Sequence, residues 1–157
     1  MDLFLILLFL HILGAIIAFG PGFTSMVVGP MVAKEPQHAN FYARTQLATS
    51  RKIITPLSIS LAITGVGMIL VRGWATETGG KHWLELGILL YVVALVLAMA
   101  VMAPAGRKLV ALTSTPPAPD SGPNPEIPAT AKRVRMGGMV LSLLVVVIAF
   151  LMVVKPF

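Results

Sequence analysis

The sequence contains no cysteine and few charged residues. Without cysteine, the 157-residue chain cannot form a disulfide, a thiolate metal site or a cysteine nucleophile. Only 11% of the residues are Asp, Glu, Lys or Arg, whereas soluble domains contain roughly 25%. Hydrophobic residues make up 57% of the chain, and the mean hydropathy is +0.90. This composition excludes an ordinary soluble domain and indicates apolar segments that are solvated by lipid.

Acidic residues are scarcer than basic ones, with six of the former and 12 of the latter. In membrane proteins, Lys and Arg accumulate in cytoplasmic loops for topological reasons. No basic folded domain is present, so we expect no nucleic-acid binding. Nucleophile elbows, phosphate loops, zinc-ligand spacings and carboxylate pairs are absent as well. We therefore predict no catalytic residues and no metal ligands.

Four apolar segments are each long enough to cross a bilayer, which takes about 20 helical residues. They cover residues 3–28, 53–71, 83–103 and 136–154. The first has no positively charged start and no convincing cleavage site, so we interpret it as a retained span rather than a signal peptide. The fold predicted is all-α: a polytopic, antiparallel bundle of four transmembrane helices in a single membrane domain over 1–157.

Prolines suggest where these helices bend or end. Pro21 predicts a kink in the first helix, Pro56 falls in the first turn of the second, and Pro104 marks the exit of the third. Residues 113–130 contain six prolines and little apolar mass. We predict that this stretch forms no helix and is a flexible cytoplasmic linker.

The positions of the cations predict the orientation. Loops one and three carry nine of the 12 Lys and Arg residues: Lys34, Arg44, Arg51, Lys52, Arg107, Lys108, Lys132, Arg133 and Arg135. We therefore expect both loops to be cytoplasmic and facing anionic lipid, with both termini on the non-cytoplasmic side of the inner (plasma) membrane. Trp74 and Trp83 flank the second loop and are predicted to be interfacial anchors.

His11 is the most informative residue, because it interrupts an otherwise apolar span about 12 Å from the helix start. Polar side chains at this depth usually face the bundle interior. One interpretation is a histidine hydrogen-bonded to a backbone carbonyl or to Ser or Thr of the second helix. The alternative is a ligand of haem iron. Met68 and His82 are the candidates for a second ligand, although His82 lies nearer the membrane surface.

Glu85 lies one turn inside the third span, near the depth at which Arg72 ends the second. We expect an ion pair between them. The alternative is a proton or cation site formed by Glu85, His82 and His11, which would suit a small ion, proton or solute transporter.

Three segments carry a family resemblance: "LFLHILGAIIAFGPGF", "PLSISLAITGVGMILVRGW" and "HWLELGILLYVVALVLAMAVMAP". Their order resembles the bacterial predicted integral membrane proteins of domain of unknown function 2269. More remotely, the first is similar to the opening helix of CopD-type copper-resistance proteins and of the HemJ-type protoporphyrinogen oxidase. The HemJ resemblance implies that His11 is a haem ligand, and it leaves a haem-dependent oxidoreductase as one alternative.

These observations favour a non-enzymatic integral membrane protein that binds a cofactor such as haem b or serves as an accessory subunit. The expected partners are the lipid bilayer and either other membrane subunits or further copies of the chain. Clustered outward-facing Met and His ligands are absent, so copper binding is not expected.

Overall fold

A computed structural model describes residues 2–74, 81–114 and 124–156, and within these ranges all regular structure is helical. Six α-helices are present: α1 (Leu3–Lys34), α2 (Ala39–Thr49), α3 (Thr55–Val71), α4 (His82–Val96), α5 (Ala103–Ser114) and α6 (Glu126–Val154). A π-helical segment, Ser50–Ile54, joins α2 to α3, and a second, Leu97–Met102, joins α4 to α5. Together with a short 3₁₀ turn at Pro36–His38, these helices form four long rods. In chain order, the rods are Leu3–Lys34, Pro36–Val71, His82–Ser114 and Glu126–Val154.

The four rods confirm the predicted all-helical fold with four membrane-spanning elements. Each is long and apolar enough to cross a bilayer. The rods run antiparallel, and Asp2 and Lys155 therefore lie at one end of the bundle, which we call the terminus end. The opposite end, which holds the connections after α1 and α5, is called the loop end.

The helices extend past the predicted spans, and the extensions all lie at the loop end. The first rod reaches Lys34, the second begins at Pro36, the third reaches Ser114 and the fourth begins at Glu126. At 1.5 Å per residue, the 32 residues of α1 measure about 48 Å, against a hydrocarbon core of about 30 Å. The bundle is therefore longer than the apolar layer it must cross.

Pro104, which was predicted to mark the exit of the third span, does not end the helix, whereas Pro56 lies in the first turn of α3 as predicted. Both prolines lie inside continuous rods, each two residues after a π segment. A proline ring clashes with the carbonyl four residues earlier and leaves it without a donor. Here those carbonyls, of Lys52 and Ala100, lie within the wider π turns, which relieve the clash. In α1, the helix passes through Pro21 and Pro30 without a break.

The prediction of a helix-free segment over 113–130 is wrong at both of its ends. Thr113 and Ser114 close α5, and residues 126–130 open α6. Pro128 is tolerated because it lies in the first turn, where a backbone N–H has no partner inside the helix. Asn124 Oδ1 accepts a hydrogen bond from the Glu126 N–H at 2.9 Å, which caps this helix. Residues 115–123 lie outside the described part of the chain.

Small residues allow the helices to approach closely, as the stripe Gly14, Ala18 and Gly22 predicts. Gly14 and Ala18 are buried, and a methyl group at Gly14 would lie 3.5 Å from Leu61 Cδ2 of α3. A methyl group at Gly22 would lie 3.5 Å from Ser142 Oγ of α6. The helix α1 therefore packs against both α3 and α6, and α4 packs against α6 on the other side of the bundle.

Candidate functional site

His11 and Thr64 form the polar contact between α1 and α3 in the apolar middle of the bundle. His11 Nδ1 lies 2.9 Å from Thr64 Oγ1. Thr64 is buried at 6% exposure, and His11 is half-buried. The interpretation that His11 is hydrogen-bonded to Ser or Thr of the second helix is therefore confirmed. The two residues are 53 positions apart, so this bond fixes the relative register of the two helices.

The direction of this contact depends on the tautomer of His11. Thr64 Oγ1 is also 2.8 Å from the Ser60 carbonyl oxygen and 3.2 Å from that of Leu61, and a hydroxyl has one proton to donate. When that proton goes to a carbonyl, His11 Nδ1 is the donor to Thr64 Oγ1, and Nε2 of the neutral imidazole keeps its lone pair.

Glycine provides the space that the imidazole ring occupies. A methyl group at Gly65 would lie 3.4 Å from His11 Cε1, so the ring packs closely over the α3 backbone at this position. One turn away on each side, Gly14 packs against Leu61 and Gly67 packs against Leu7. A larger residue at Gly65 would push the ring away from α3 and strain its bond to Thr64.

The two candidate second ligands both lie nearer the terminus end than His11 does. Met68 lies on α3 four residues beyond Thr64, about 6 Å farther toward the terminus end. His82 begins α4 at the terminus end, in the same layer as Phe4 and about 10 Å from the level of His11.

The expected ion pair between Arg72 and Glu85 is not formed, because each has another partner. Glu85 Oε2 lies 3.2 Å from His82 Nδ1, one helical turn away, and both side chains are largely exposed. The Arg72 guanidinium lies 4.0 Å from the centroid of the Phe4 ring. Glu85 and His82 form a local pair on the surface of α4, separate from His11.

A cluster of aromatic and cationic side chains at the terminus end was not predicted from the sequence. We call Phe4, Arg72, Trp74, Trp83 and Lys155 the aromatic cluster. Its ring centroids are 6.4 Å apart for Phe4 and Trp74, and 5.9 Å apart for the two tryptophans. The Lys155 Nζ lies 5.2 Å from the Trp83 ring and 5.9 Å from the Trp74 ring. Together with Arg72 over Phe4, these contacts connect all four rods.

Trp83, which the sequence predicts to be an interfacial anchor, is only 7% exposed and so mainly contacts protein. It packs against the edge of Trp74 inside the aromatic cluster. The sequence did contain an indication of this arrangement. An aromatic or cationic residue lies within a few positions of the terminus end of every span.

Tyr91 provides a second polar contact that sequence reasoning missed. Its hydroxyl donates a hydrogen bond to the Ser58 carbonyl oxygen, and this bond bridges α4 and α3. Within the described ranges, no group of three or more His, Asp or Glu side chains is placed to hold a metal ion. The polar residues of the bundle interior thus act in pairs between helices.

The length, burial pattern and polar contacts define an integral membrane protein built as a four-helix bundle. Residues 5–156 match the model of a family described as predicted integral membrane proteins (domain of unknown function 2269), and the chain belongs to this family. The family resemblance inferred from the sequence is therefore confirmed. Searches of curated proteins and of solved structures gave no match.

Proposed function

We propose that the protein is a non-enzymatic integral membrane protein that binds a hydrophobic cofactor through His11, with haem b as the first candidate. The observation that carries this proposal is the bond between His11 Nδ1 and Thr64 Oγ1 at 2.9 Å. Histidines that ligate metals almost always donate their other ring N–H to a fixed acceptor, which sets the tautomer and the ring orientation. Thr64 is such an acceptor.

The acceptor is itself held in place, which makes the arrangement suitable for a ligand. Thr64 is buried, and its hydroxyl is anchored to the Ser60 carbonyl oxygen of its own helix. The ring, the hydroxyl and the carbonyl form a short chain of hydrogen bonds in a medium of low dielectric constant, where such chains are strengthened. His11 Nε2, at the other end of the chain, is the atom that would bind iron.

His11 is the residue that would hold the group. Met68 and His82 both lie toward the terminus end from His11. When bound, haem b would supply a redox-active iron. Its porphyrin is apolar over most of its surface, and His11 is partly exposed in a bundle whose exterior faces lipid.

The transporter alternative receives less support from the geometry. A proton or cation site would require His11, His82 and Glu85 to line one passage. Instead, Glu85 is paired with His82 at the terminus end, while His11 is bonded to Thr64 deeper in the bundle. These contacts support a binding site between two helices rather than a conducting pathway.

We also propose the orientation that the cations predict, with both termini on the non-cytoplasmic side of the inner membrane. The loop end carries the nine Lys and Arg residues of the first and third loops, and cations of short loops are retained on the cytoplasmic side. Cysteines introduced singly at Thr45 and at Asp2, on opposite ends of this cysteine-free chain, would be labelled in whole cells by a membrane-impermeant maleimide. Labelling at position 2 alone is expected, and labelling at position 45 alone would reverse the orientation.

The cofactor proposal is tested by the absorbance spectrum of the protein purified from haem-replete cells, and by titration of haemin into the purified protein. We expect a Soret band that is lost in His11→Ala. In Thr64→Val, which keeps the side-chain shape but removes the acceptor, we expect affinity to fall by about tenfold or more. His82→Ala is the matched control and should leave the band unchanged.

Two results would reject the cofactor proposal. One is a wild-type protein that stays colourless and does not take up haemin. The other is a Soret band that persists in His11→Ala when its thermal unfolding shows a folded protein. A colourless protein that co-purifies in fixed stoichiometry with other membrane subunits would identify an accessory role instead.

A further inference from the structure

A groove of about 390 Å³ lies at the loop end, between α6 and the π segment of the third rod. Six of its lining residues come from α6: Ala129, Lys132, Arg133, Met136, Gly137 and Val140. The last five lie three, four, seven, eight and eleven residues after Ala129, which places all six on one face of the helix. Val101 of the π segment forms the opposite wall. The groove is therefore one continuous stripe of α6 that the neighbouring rod leaves uncovered.

The lining changes from cationic to apolar along the helix axis. Lys132 and Arg133 lie toward the loop end, and Met136 and Val140 follow toward the bundle middle. From Lys132 to Val140 the helix rises about 12 Å, close to the depth of one leaflet, since the hydrocarbon core is about 30 Å thick. A phospholipid changes in the same way over a similar length, from a charged headgroup to an apolar acyl chain.

Within the described ranges, the Lys132 and Arg133 side chains form no hydrogen bond or ion pair with another residue. Nearby, the acidic residue Glu126 is already paired with Lys108 at 3.1 Å. Lys132 and Arg133 are both exposed, and their long side chains can place the charges at headgroup depth while their stems lie along apolar surface. Their charge therefore remains available to an anion.

Close packing of the two rods sets the floor of the groove. A methyl group at Gly137 would collide with Met102 Sδ, so α6 and the π segment lie in direct contact there. The Met102 side chain occupies the space that the glycine leaves. Met136 and Val140 on its edge are about half exposed, at 54% and 48%, and present an apolar surface to an acyl chain.

We infer that this groove binds an anionic phospholipid, with the phosphate at Lys132 and Arg133 and one acyl chain along Val101, Met136 and Val140. Basic pockets between transmembrane helices are suited to anionic headgroups. Because the rest of the groove is apolar, the ligand would also need an acyl chain to fill it. The inference does not depend on cofactor binding at His11, which lies in the apolar middle between α1 and α3.

Native mass spectrometry of the protein released from nanodiscs containing both phosphatidylglycerol and phosphatidylcholine tests this inference. We expect the wild type to retain phosphatidylglycerol preferentially. In the double variant Lys132→Gln/Arg133→Gln, we expect the preference to fall by about tenfold or more, because each cation near the surface contributes to anionic-lipid binding. The matched control is Arg51→Gln/Lys52→Gln, which removes the same charge from exposed positions of the second rod and should retain the preference.

Two further arms separate a lipid site from other occupants. An excess of inorganic phosphate should not displace the lipid, and Val101→Trp, which fills the groove, should reduce its retention while the cations remain. Equal retention of the two lipids by the wild type would overturn the inference. So would an equal loss in both double variants, which would indicate only the general charge of the loop end. Displacement by phosphate alone would indicate a free-anion site, and retention of a protein in place of lipid would indicate a partner surface; either result would also overturn it.

Discussion

The two ends of the bundle are stabilised by different kinds of contact. At the terminus end, the aromatic cluster joins the four rods through ring edges and cations placed over rings. At the loop end, polar contacts connect the parts of the helices that extend past the predicted spans. Asn40 Nδ2 donates to the Val110 carbonyl oxygen at 3.3 Å and to Thr113 Oγ1 at 3.1 Å, and Lys108 pairs with Glu126.

The difference reflects the length of the helices on each side. The rods end near the edge of the predicted spans at the terminus end, so we expect their last residues at interfacial depth, where Trp, Tyr and cations are favoured. At the loop end the rods continue as α2, α5 and the start of α6, whose surfaces we expect to meet water. In water a half-exposed ion pair contributes little. We therefore expect the terminus end to contribute more to stability than the loop end.

Trp83→Ala should have the largest effect, because Trp83 is 7% exposed and lies between Trp74 and the Lys155 ammonium. Removal of a buried tryptophan side chain costs about 3 kcal/mol or more. Unfolding in mixed micelles, titrated with a denaturing detergent, measures this loss. Phe41→Ala is the control at the loop end. Phe41 is 66% exposed, so the expected loss there is within about 0.5 kcal/mol. Equal losses in the two variants would contradict the comparison.

Asn40→Ala should have an intermediate effect. It removes the donor that joins α2 to α5, and each net hydrogen bond contributes about 1 kcal/mol. The same detergent titration measures the change. Thr45→Ala is matched to it on α2, since among the described residues the Thr45 hydroxyl bonds to the Phe41 carbonyl oxygen of its own helix and not to another helix. A loss in Asn40→Ala no larger than that in Thr45→Ala would show that the contact between α2 and α5 does not depend on this amide.

Glu126→Gln should have the smallest effect. The side chains of Lys108 and Glu126 are 54% and 56% exposed, and such pairs contribute at most about 1 kcal/mol at low salt, less as salt is added. Stability measured at low and high ionic strength should differ between wild type and variant only at low salt. A large loss that persists in high salt would mean that the loop end is more tightly held than its exposure indicates.

The number of spans and their antiparallel order could be predicted because hydrocarbon imposes them. Every backbone donor and acceptor in lipid must be satisfied within the helix, so a long apolar segment has few alternatives. The helix ends at the loop end were mispredicted for the opposite reason. Both Pro104 and Pro128 suggest helix breaks. Pro104 is accommodated by the π segment before it, and Pro128 by its position in the first turn of α6.

For the candidate site, the sequence identified His11 and the type of partner it has, but not the partner itself. Thr64 was one of several Ser and Thr residues in the second span, and helix register decides which of them meets the imidazole. Arg72 and Glu85 were predicted to pair with each other from their depth alone. Depth does not determine which side of a helix faces a neighbour, so that prediction failed.

The π segments affect how the chain tolerates changes in length. A π turn takes in one more residue than an α turn while the helix continues on both sides. Loss of one residue from Leu97–Met102 would thus restore regular winding and leave the faces of α4 and α5 pointing as before. The same loss elsewhere in that rod would rotate everything beyond it by about 100°, the angle between successive residues at 3.6 per turn. Single-residue indels within the family should therefore concentrate at these two wide turns.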